Sequence, residues 1–206
     1  TVYGFFRKWA QNHTLESLNA RLRAHVRAAV SKRSRPTAAI LDSQSIKSDP
    51  HGGAVGYDAG KKIKGRKRHL LVDTLGLVLK AIVHTADIQD RDGAKLLLKR
   101  AKSVFVRLKI IWADGGYAGK LVSWVNKRFN ITLEIVKKDP DSKGFQLIKR
   151  RWVVERTFGW LNKCRRLSKE FEVLPRNSES LIYLAMVSLM AKRISGFSNT
   201  RKLTKR

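Results

Sequence analysis

Cysteine is almost absent from this chain: among its 206 residues there is one, Cys164. A single cysteine cannot form an internal disulfide and leaves no cysteine-based zinc site. Both absences fit a reducing compartment, so the sequence predicts a cytoplasmic location. Long apolar runs are missing too, because the best of them, residues 181–194, is interrupted by Ser188, Lys192 and Arg193. We therefore expect no transmembrane helix and no membrane partner.

Acidic residues are scarce as well: 16 Asp and Glu stand against 44 Lys and Arg, for a net charge of +28. Such an excess repels itself in a compact state, so it usually indicates a polyanionic partner. Nucleic acid is the first candidate, because released counterions supply affinity without any reading of bases. A ribosomal-type protein or a protein of anionic membranes would carry the same excess. The charge therefore indicates a partner and not an activity.

The hydrophobic content, 43% of residues, is enough to bury a sizeable core. Residues 1–35 predict one or two basic helices that end in a proline-containing linker. The rest predicts a strand, a hairpin, then helices alternating with strands, which is an α/β order. The predicted elements are strand 38–42, loop 48–60, hairpin strands 69–73 and 77–85, helix 92–101, strand 109–114, helix 121–129, strand 132–136, loop 140–144, and helices 147–167 and 178–194. This order matches a ribonuclease H-like mixed sheet flanked by helices, with a short N-terminal helical segment.

Two aspartates end apolar runs: Asp42 ends Ala-Ile-Leu-Asp and Asp114 ends Ile-Ile-Trp-Ala-Asp. A buried carboxylate is costly unless a cation, an N–H donor or a metal compensates it. For either residue alone, loop N–H groups or a nearby arginine explain the pattern equally well. The two lie 72 residues apart (114 − 42), on strands expected to be adjacent and parallel. Together they indicate a bridging pair of carboxylates.

Glu155 is the third acid of interest, with Trp152 at i−3 and Phe158 at i+3 on its helix face. This spacing predicts that it projects from an apolar stripe toward the core. The alternative is an ion pair with Arg151 at i,i+4, in the less favourable order and worth a few tenths of a kcal/mol. Three carboxylates held together favour a divalent cation, and Mg²⁺, with Mn²⁺ as a substitute, prefers oxygen ligands. Two such ions about 4 Å apart can support in-line phosphoryl transfer.

Three segments closely resemble the DDE transposases of bacterial insertion sequences, in particular the insertion-sequence-five-like group: Leu41-Asp-Ser-Gln-Ser45, Trp112-Ala-Asp-Gly-Gly-Tyr117 and Arg150-Arg-Trp-Val-Val-Glu-Arg-Thr-Phe-Gly-Trp-Leu161. The likeness extends from Thr1 to about Arg193. It implies a ribonuclease H-like fold in which Asp42, Asp114 and Glu155 are the catalytic metal ligands. We expect residues 36–194 to be the catalytic domain, residues 1–35 a partial helical segment with its linker, and residues 195–206 a basic tail.

The resemblance also implies an activity. Such a transposase would hydrolyse a phosphodiester at the element end, and the exposed 3′-OH would attack target DNA without a covalent protein–DNA intermediate. The implied partners are terminal inverted repeats, target DNA and a second copy of the chain in a synaptic complex, at the bacterial nucleoid. The alternatives are another ribonuclease H-like nuclease, such as a junction resolvase, and an inactive DNA-binding remnant. We expect an upstream helical segment to recognise the element ends.

A related group carries the signature Tyr-x2-Arg-x3-Glu-x6-Lys, which Arg151 and Glu155 match in part. The tyrosine position holds Ile148 and the lysine position holds Asn162, so no role is carried over to either. The predicted DNA contacts are Arg151, Arg156, Lys163, Arg165, Arg166 and Tyr117, with packing as an equal alternative for Tyr117. Residues 61–69 hold six cations that would line a DNA groove or form a solvated face. Asp73, Asp87, Asp90 and Asp92 are interpreted as turn and cap residues, with Asp87 as the reserve ligand.

Overall fold

The computed structural model describes residues 1–49, 53–136 and 150–203, with side chains up to residue 196. The helices are α1 (Val2–Gln11), α2 (Thr14–Ala29), α3 (Asp90–Arg100), α4 (Lys120–Phe129), α5 (Trp152–Asn162) and α6 (Pro175–Leu203). The strands are β1 (Ala38–Lys47), β2 (Gly56–Asp58), β3 (Ile63–Asp73), β4 (Val78–Thr85), β5 (Ile110–Ala113) and β6 (Thr132–Ile135). Short 3-10 turns cover Lys102–Arg107, Gly115–Tyr117 and Arg165–Leu167.

The six strands form one mixed sheet in which β3 lies between β1 on one side and both β2 and β4 on the other. The β1–β3 and β3–β4 pairs are antiparallel, and β1–β5 and β5–β6 are parallel. The predicted hairpin is present as β3 and β4. The predicted α/β architecture, a ribonuclease H-like mixed sheet flanked by helices, is confirmed.

Side chains that alternate along the strands form two hydrophobic cores, one on each face of the sheet. Ile40, Leu70 and Val72 pack with residues of α2, α5 and α6. Ala39 and Leu71 pack against α3 and α4 on the opposite face. The sheet is therefore covered on both sides, as expected for parallel strands joined by helices.

Only the first part of the charged run at residues 61–69 is exposed, as its composition favours. Residues 63–69 form the first part of β3, and Arg66, Lys67, Arg68 and His69 are buried. Arg66 donates to the carbonyl oxygens of Ala54, Glu172 and Val173, at 3.0, 2.7 and 2.7 Å. These carbonyls satisfy the buried guanidinium, so the second half of the run stabilises the fold, while Lys61, Lys62 and Lys64 remain exposed.

Other boundaries also differ from the sequence prediction. Strand β1 continues for five residues beyond Asp42, through a polar stretch that pairs with β3. A short strand, β2, lies within the predicted loop 48–60. Helix α5 ends at Asn162, while α6 begins at Pro175 and runs to Leu203, into the predicted tail. The predicted loop 140–144 and the start of the predicted helix at 147 lie outside the described residues.

The N-terminal helices pack on the sheet domain. Leu15 and Val26 of α2 belong to the core beneath α6, and Arg27 forms a buried ion pair with Asp73, 2.6 Å between Nη1 and Oδ2. Asn19 and Arg23 both donate to the Val78 carbonyl, at 2.9 and 2.8 Å. The division of the chain at residues 35 and 194 stays a prediction. Over the described ranges, no helix is both long enough and apolar enough to cross a bilayer.

Candidate active site

The pairing register of β1 and β5 places Asp42 and Asp114 side by side at the end of β5. Strands β1 and β5 pair in parallel with Ala38 opposite Ile110, an offset of 72 residues (110 − 38). Asp42 and Asp114 have the same separation (114 − 42), so extending the register places them at the same level of the sheet. Asp114 follows the last residue of β5, and its Oδ1 accepts a hydrogen bond from the Gly116 N–H at 2.9 Å. This bond caps the turn and fixes the carboxylate at the strand end.

Helix α5 carries Glu155 to the same place by packing on β1. Val153, Val154, Phe158 and Leu161 form its buried side. Glu155 lies beside that side and not within it, with 53% of its side chain exposed. The expectation that it points toward the core is therefore wrong. It faces an open pocket instead, where a ligand can reach its carboxylate.

The pocket measures about 510 Å³ and brings the three predicted acids together. It contains residues of β1, of the α3 N-terminus, of the β5 end and of α5. Its lining residues are Asp42, Ser43, Gln44, Ser45, Lys61, Asp90, Asp114, Arg151, Glu155, Phe158, Gly159 and Asn162. Asp87, the reserve ligand, is absent from this lining, and its carboxylate lies against Gly56.

The charge of Asp42 is poorly compensated. Burial is the main cause that raises the pKa of its carboxyl group to about 6, and the neighbouring Asp114 contributes to the rise. The Ser43 N–H, Arg151 and Lys61 act in the opposite direction and lower the pKa. The Ser43 N–H donates to Oδ1 at 2.7 Å. No cation within the described ranges forms an ion pair with Asp42. A carboxylate in this position gains from a positive charge placed between it and Asp114.

Arg151 supplies the cation that the other two acids share. Its Nη2 lies 3.3 Å from Glu155 Oε1 and 3.8 Å from Asp114 Oδ2. The i,i+4 pair considered from the sequence is therefore present together with the convergence of the acids. Within the described part of the chain, no three acidic or histidine side chains are grouped closely enough to hold a metal ion. The donor set nevertheless fits a divalent cation, because carboxylate oxygens with unbalanced charge converge on an open pocket.

A polar layer beneath Asp42 was not predicted from the sequence. Ser43, on the opposite face of β1, donates to Asp90 Oδ1 at 2.8 Å, and Lys67 Nζ lies 3.0 Å from the same oxygen. Burial alone would raise the pKa of Asp90, but these bonds from Ser43 and Lys67 lower it. Asp90 was interpreted as a turn or cap residue, and it begins α3. It also lines the pocket as a fourth acid, which only the tertiary structure reveals.

Tyr117 belongs to this layer and does not reach the surface. It is 1% exposed, and its hydroxyl lies 3.5 Å from His69 Nδ1. The packing alternative is therefore the one that the structure shows, and the expected contact between Tyr117 and DNA is wrong. The ring belongs to the core that contains Ala113 and Leu121, on the face of the sheet covered by α3 and α4.

The cations after Glu155 are not equivalent. Arg156 is stacked between Trp152 and Trp160, at 4.3 and 4.8 Å from the ring centres, and donates to the Leu75 carbonyl. Arg166 is bonded to Glu172. Lys163 and Arg165 are exposed, and no acid among the described residues pairs with them. Of the predicted DNA contacts, Arg151 lines the pocket, while Lys163 and Arg165 are the two exposed unpaired cations.

Comparisons with known proteins concern the family and the fold of the chain. A putative transposase for insertion sequence element IS402 from Burkholderia cepacia is 31% identical over 115 residues, which are 52% of this chain and 54% of that protein. The chain thus spans about half the length of this curated relative. A simian T-cell lymphotropic virus intasome structure, in complex with PP2A regulatory subunit B56 gamma, is similar over 72% of this chain and 48% of its own, with a TM-score of 0.50 and 17% identity. That likeness concerns the fold alone.

The strongest comparison covers most of the chain. The family described as the transposase DDE domain matches residues 33–190, a range that contains every strand of the sheet and all three acids. The chain therefore belongs to the transposase DDE domain family.

Proposed function

We propose that this chain catalyses the DNA cleavage and strand transfer of a bacterial insertion sequence, with Asp42, Asp114 and Glu155 as the catalytic carboxylates. The observation that carries this proposal is the convergence of the three acids on one pocket, in a protein with a net charge of +28. A cation-rich chain attracts the phosphate backbone, but this attraction does not explain why three acids lie together within it. Metal binding for phosphoryl transfer supplies that reason.

The three carboxylates would hold Mg²⁺, or Mn²⁺ in its place. When bound, these ions supply charge stabilisation for the attacking and leaving oxygens of an in-line displacement. Asp42 and Asp114 are fixed by backbone N–H donors, so they present oxygens of constant orientation. Arg151 balances the charges of Asp114 and Glu155 in the metal-free protein, and it would be available as a phosphate ligand if the acids held a metal ion.

Lys61, between β2 and β3, and Asp90, at the start of α3, also line the pocket. Lys61 Nζ lies 3.5 Å from the Ser43 carbonyl, at the pocket rim, where it attracts the DNA backbone. Asp90 holds Ser43 from below and so restrains the strand that carries Asp42. Arg165 and Lys163 extend the positive surface past the C-terminal end of α5. These residues position the phosphodiester, while the acids carry the chemistry.

The proposed partners are the terminal inverted repeats of an element, its target DNA and a second copy of the chain in a synaptic complex. Two element ends must be held together for transposition, so a homodimer is the simplest assembly. A bacterial cytoplasm, at the nucleoid, is the proposed location. Because these properties concern a whole transposase, they apply to this chain as proposals.

A joining assay separates the proposed function from its rivals. The chain is incubated with Mg²⁺, supercoiled plasmid and a labelled oligonucleotide that ends in a 3′-OH, or in a dideoxynucleotide as the control. Transposase chemistry predicts nicked plasmid and label joined to plasmid only with the 3′-OH. Nicking without joining would support another ribonuclease H-like nuclease. DNA binding with neither product would support an inactive remnant.

A further inference from the structure

A second groove lies at the far end of the central strands, away from the three acids. It measures about 570 Å³ and is formed by the end of β1 with Ser48 and Asp49, by Gly53 and Val55, and by β2 with the start of β3. Three lysines line it: Lys47, Lys62 and Lys64. One aromatic side chain, Tyr57, one acid, Asp49, and one hydroxyl residue, Ser48, complete the polar lining. We call it the hairpin groove, after the hairpin that β2 and β3 form.

The three lysines differ from the other lysines of the same segment. Lys67 is buried between Asp58 and Asp90, and Lys61 reaches toward the active-site pocket. Lys47, Lys62 and Lys64 are exposed, and no acceptor among the described residues holds them. Free cations gathered on one concave surface attract an anion, and a phosphate backbone offers several at regular spacing.

Tyr57 gives the hairpin groove a second kind of contact. It is 55% exposed and lies directly opposite Lys64 in the β2–β3 ladder, so the ring and the lysine share one face. Basic side chains interleaved with an exposed aromatic ring are typical of surfaces that bind single-stranded nucleic acid, since each base can stack on the ring. A base in a duplex is already stacked and cannot use Tyr57 in this way.

The position of the hairpin groove relates it to the catalytic acids. Asp42 pairs with Leu70 and Tyr57 with Lys64, and positions 64 and 70 of β3 fall on the same face because side chains alternate. Six residues of strand separate the two levels, about 20 Å at roughly 3.3 Å per residue. A stacked DNA strand rises about 3.4 Å per nucleotide, so about six nucleotides reach from one site to the other.

The hairpin groove is held rigidly. Arg66 ties Ala54 to the segment Glu172–Val173 through three hydrogen bonds. Asp58 accepts hydrogen bonds from the Ser45 hydroxyl, 2.5 Å, and from the Lys61 N–H, 3.1 Å, and so fixes β2. Gly65 lets the Ile46 backbone approach to a distance that no side chain at this position would allow. A surface fixed before binding loses little conformational entropy when a ligand arrives.

We propose that the hairpin groove binds unpaired DNA about six nucleotides from the reacting phosphodiester, with phosphates on Lys47, Lys62 and Lys64 and a base stacked on Tyr57. This inference rests on the proposed DNA chemistry. The groove would then hold the single strand beside the cleavage point. The lysines around β2 and β3 would bind phosphates, while the acids would bind metal.

Fluorescence anisotropy with a labelled oligo-dT strand tests the aromatic contact. Tyr57→Ala should weaken binding five- to a hundredfold, the range that loss of one base stack produces. Tyr57→Phe should stay within about twofold, because the stacking face remains. Tyr3→Ala is the matched control, since Tyr3 is 58% exposed on α1. A loss for Tyr57→Ala no greater than for Tyr3→Ala would overturn the stacking contact.

Salt dependence tests the lysines. Lys47→Gln, Lys62→Gln and Lys64→Gln combined should reduce the slope of log affinity against log salt by about 2, at roughly 0.7 per phosphate on single strands. The matched control replaces Lys99, Lys102 and Lys127, three exposed lysines on and beside α3 and α4, with glutamine. Equal effects of the two sets, or an equal loss on duplex DNA, would overturn the proposal.

Plasmid nicking measured on the same proteins separates the two ideas. If the wild type nicks plasmid and the groove variants bind oligo-dT normally, single-strand binding by the hairpin groove is rejected and the proposed function is retained. A wild-type chain that binds no DNA would reject both. Circular dichroism of each variant confirms that the fold is retained, and the Tyr57→Phe result stands even where the alanine variant folds poorly.

Discussion

Replacing Asp42 with asparagine should stabilise the metal-free protein. Burial and the neighbouring Asp114 raise the pKa of Asp42 to about 6, so the folded state resists its negative charge. Asparagine has nearly the same shape, and its Oδ1 can still accept the hydrogen bond from the Ser43 N–H. The substitution therefore removes the unfavourable charge and keeps the only hydrogen bond that the structure gives this carboxylate.

The magnitude follows from the pKa. The interval between an ordinary value of 3.8 and about 6 corresponds to about 3 kcal/mol at pH 8, at 1.36 kcal/mol per factor of ten. Because the pocket is open to solvent, we expect a gain of about 1–2 kcal/mol. Between pH 3.8 and 6 the folded state binds the proton that the unfolded state has released. The cost of the charge is therefore absent below pH 3.8 and complete above pH 6.

Urea unfolding of the metal-free protein at pH 8 and pH 4 measures the effect. Asp42→Asn should raise the free energy of unfolding at pH 8 and leave it nearly unchanged at pH 4. Glu155→Gln is the control, since a half-exposed carboxylate contributes within about 0.5 kcal/mol at either pH. Added Mg²⁺ should stabilise the wild type and not Asp42→Asn. A variant less stable than wild type at pH 8 would refute the electrostatic reasoning.

Three further predictions concern the rest of the molecule. The double variant Lys163→Gln, Arg165→Gln should reduce the slope of log affinity against log salt for duplex DNA by about 2, at roughly 0.9 per phosphate. Arg156→Gln should mainly lower the melting temperature, because the Arg156 guanidinium is stacked between two tryptophans. Equal slopes for the two variants would contradict this assignment. The chain alone should bind element-end and scrambled DNA within about tenfold, since contacts to phosphates do not read sequence; a hundredfold preference in a competition assay would place end recognition within these residues. Burial and His84 lower the pKa of His69 to about 3. The wild type should therefore lose stability as the pH falls below 6.5, and His69→Gln should lack this loss when both proteins are unfolded over the same acid range.

The positions of Asp42 and Asp114 could be predicted because their placement depends on local pattern. An apolar run ended by an acid indicates a strand end, and the spacing of Asp42 and Asp114 equals the β1–β5 register. The sequence predicts that Glu155 joins the two aspartates, and the structure places it in the same pocket, but its side chain faces the open pocket and not the core. Helical spacing shows which residues share a face, but it does not show whether that face meets the core or the rim of a cleft.

The buried cations could not be predicted from their own segment. Arg66 and Arg68 donate hydrogen bonds to the carbonyl oxygens of Glu172, Val173 and Leu167, about a hundred residues away along the chain. A run of cations is normally solvated, because burying each one requires acceptors that composition does not reveal. Asp90 was missed for the same reason, since its partners Ser43 and Lys67 come from two other strands.

The central claim is that Asp42, Asp114 and Glu155 form one metal-dependent site. The most direct measurement is Mg²⁺-dependent nicking of supercoiled plasmid by the wild type and by Asp42→Asn, Asp114→Asn and Glu155→Gln, with DNA affinity measured on the same preparations. The account predicts that each single variant loses nicking at least a hundredfold, about 2.7 kcal/mol in barrier height, while its DNA affinity stays within about threefold of the wild type. Nicking at the wild-type rate by any of the three variants would contradict the account, because that residue would then lie outside the catalytic site.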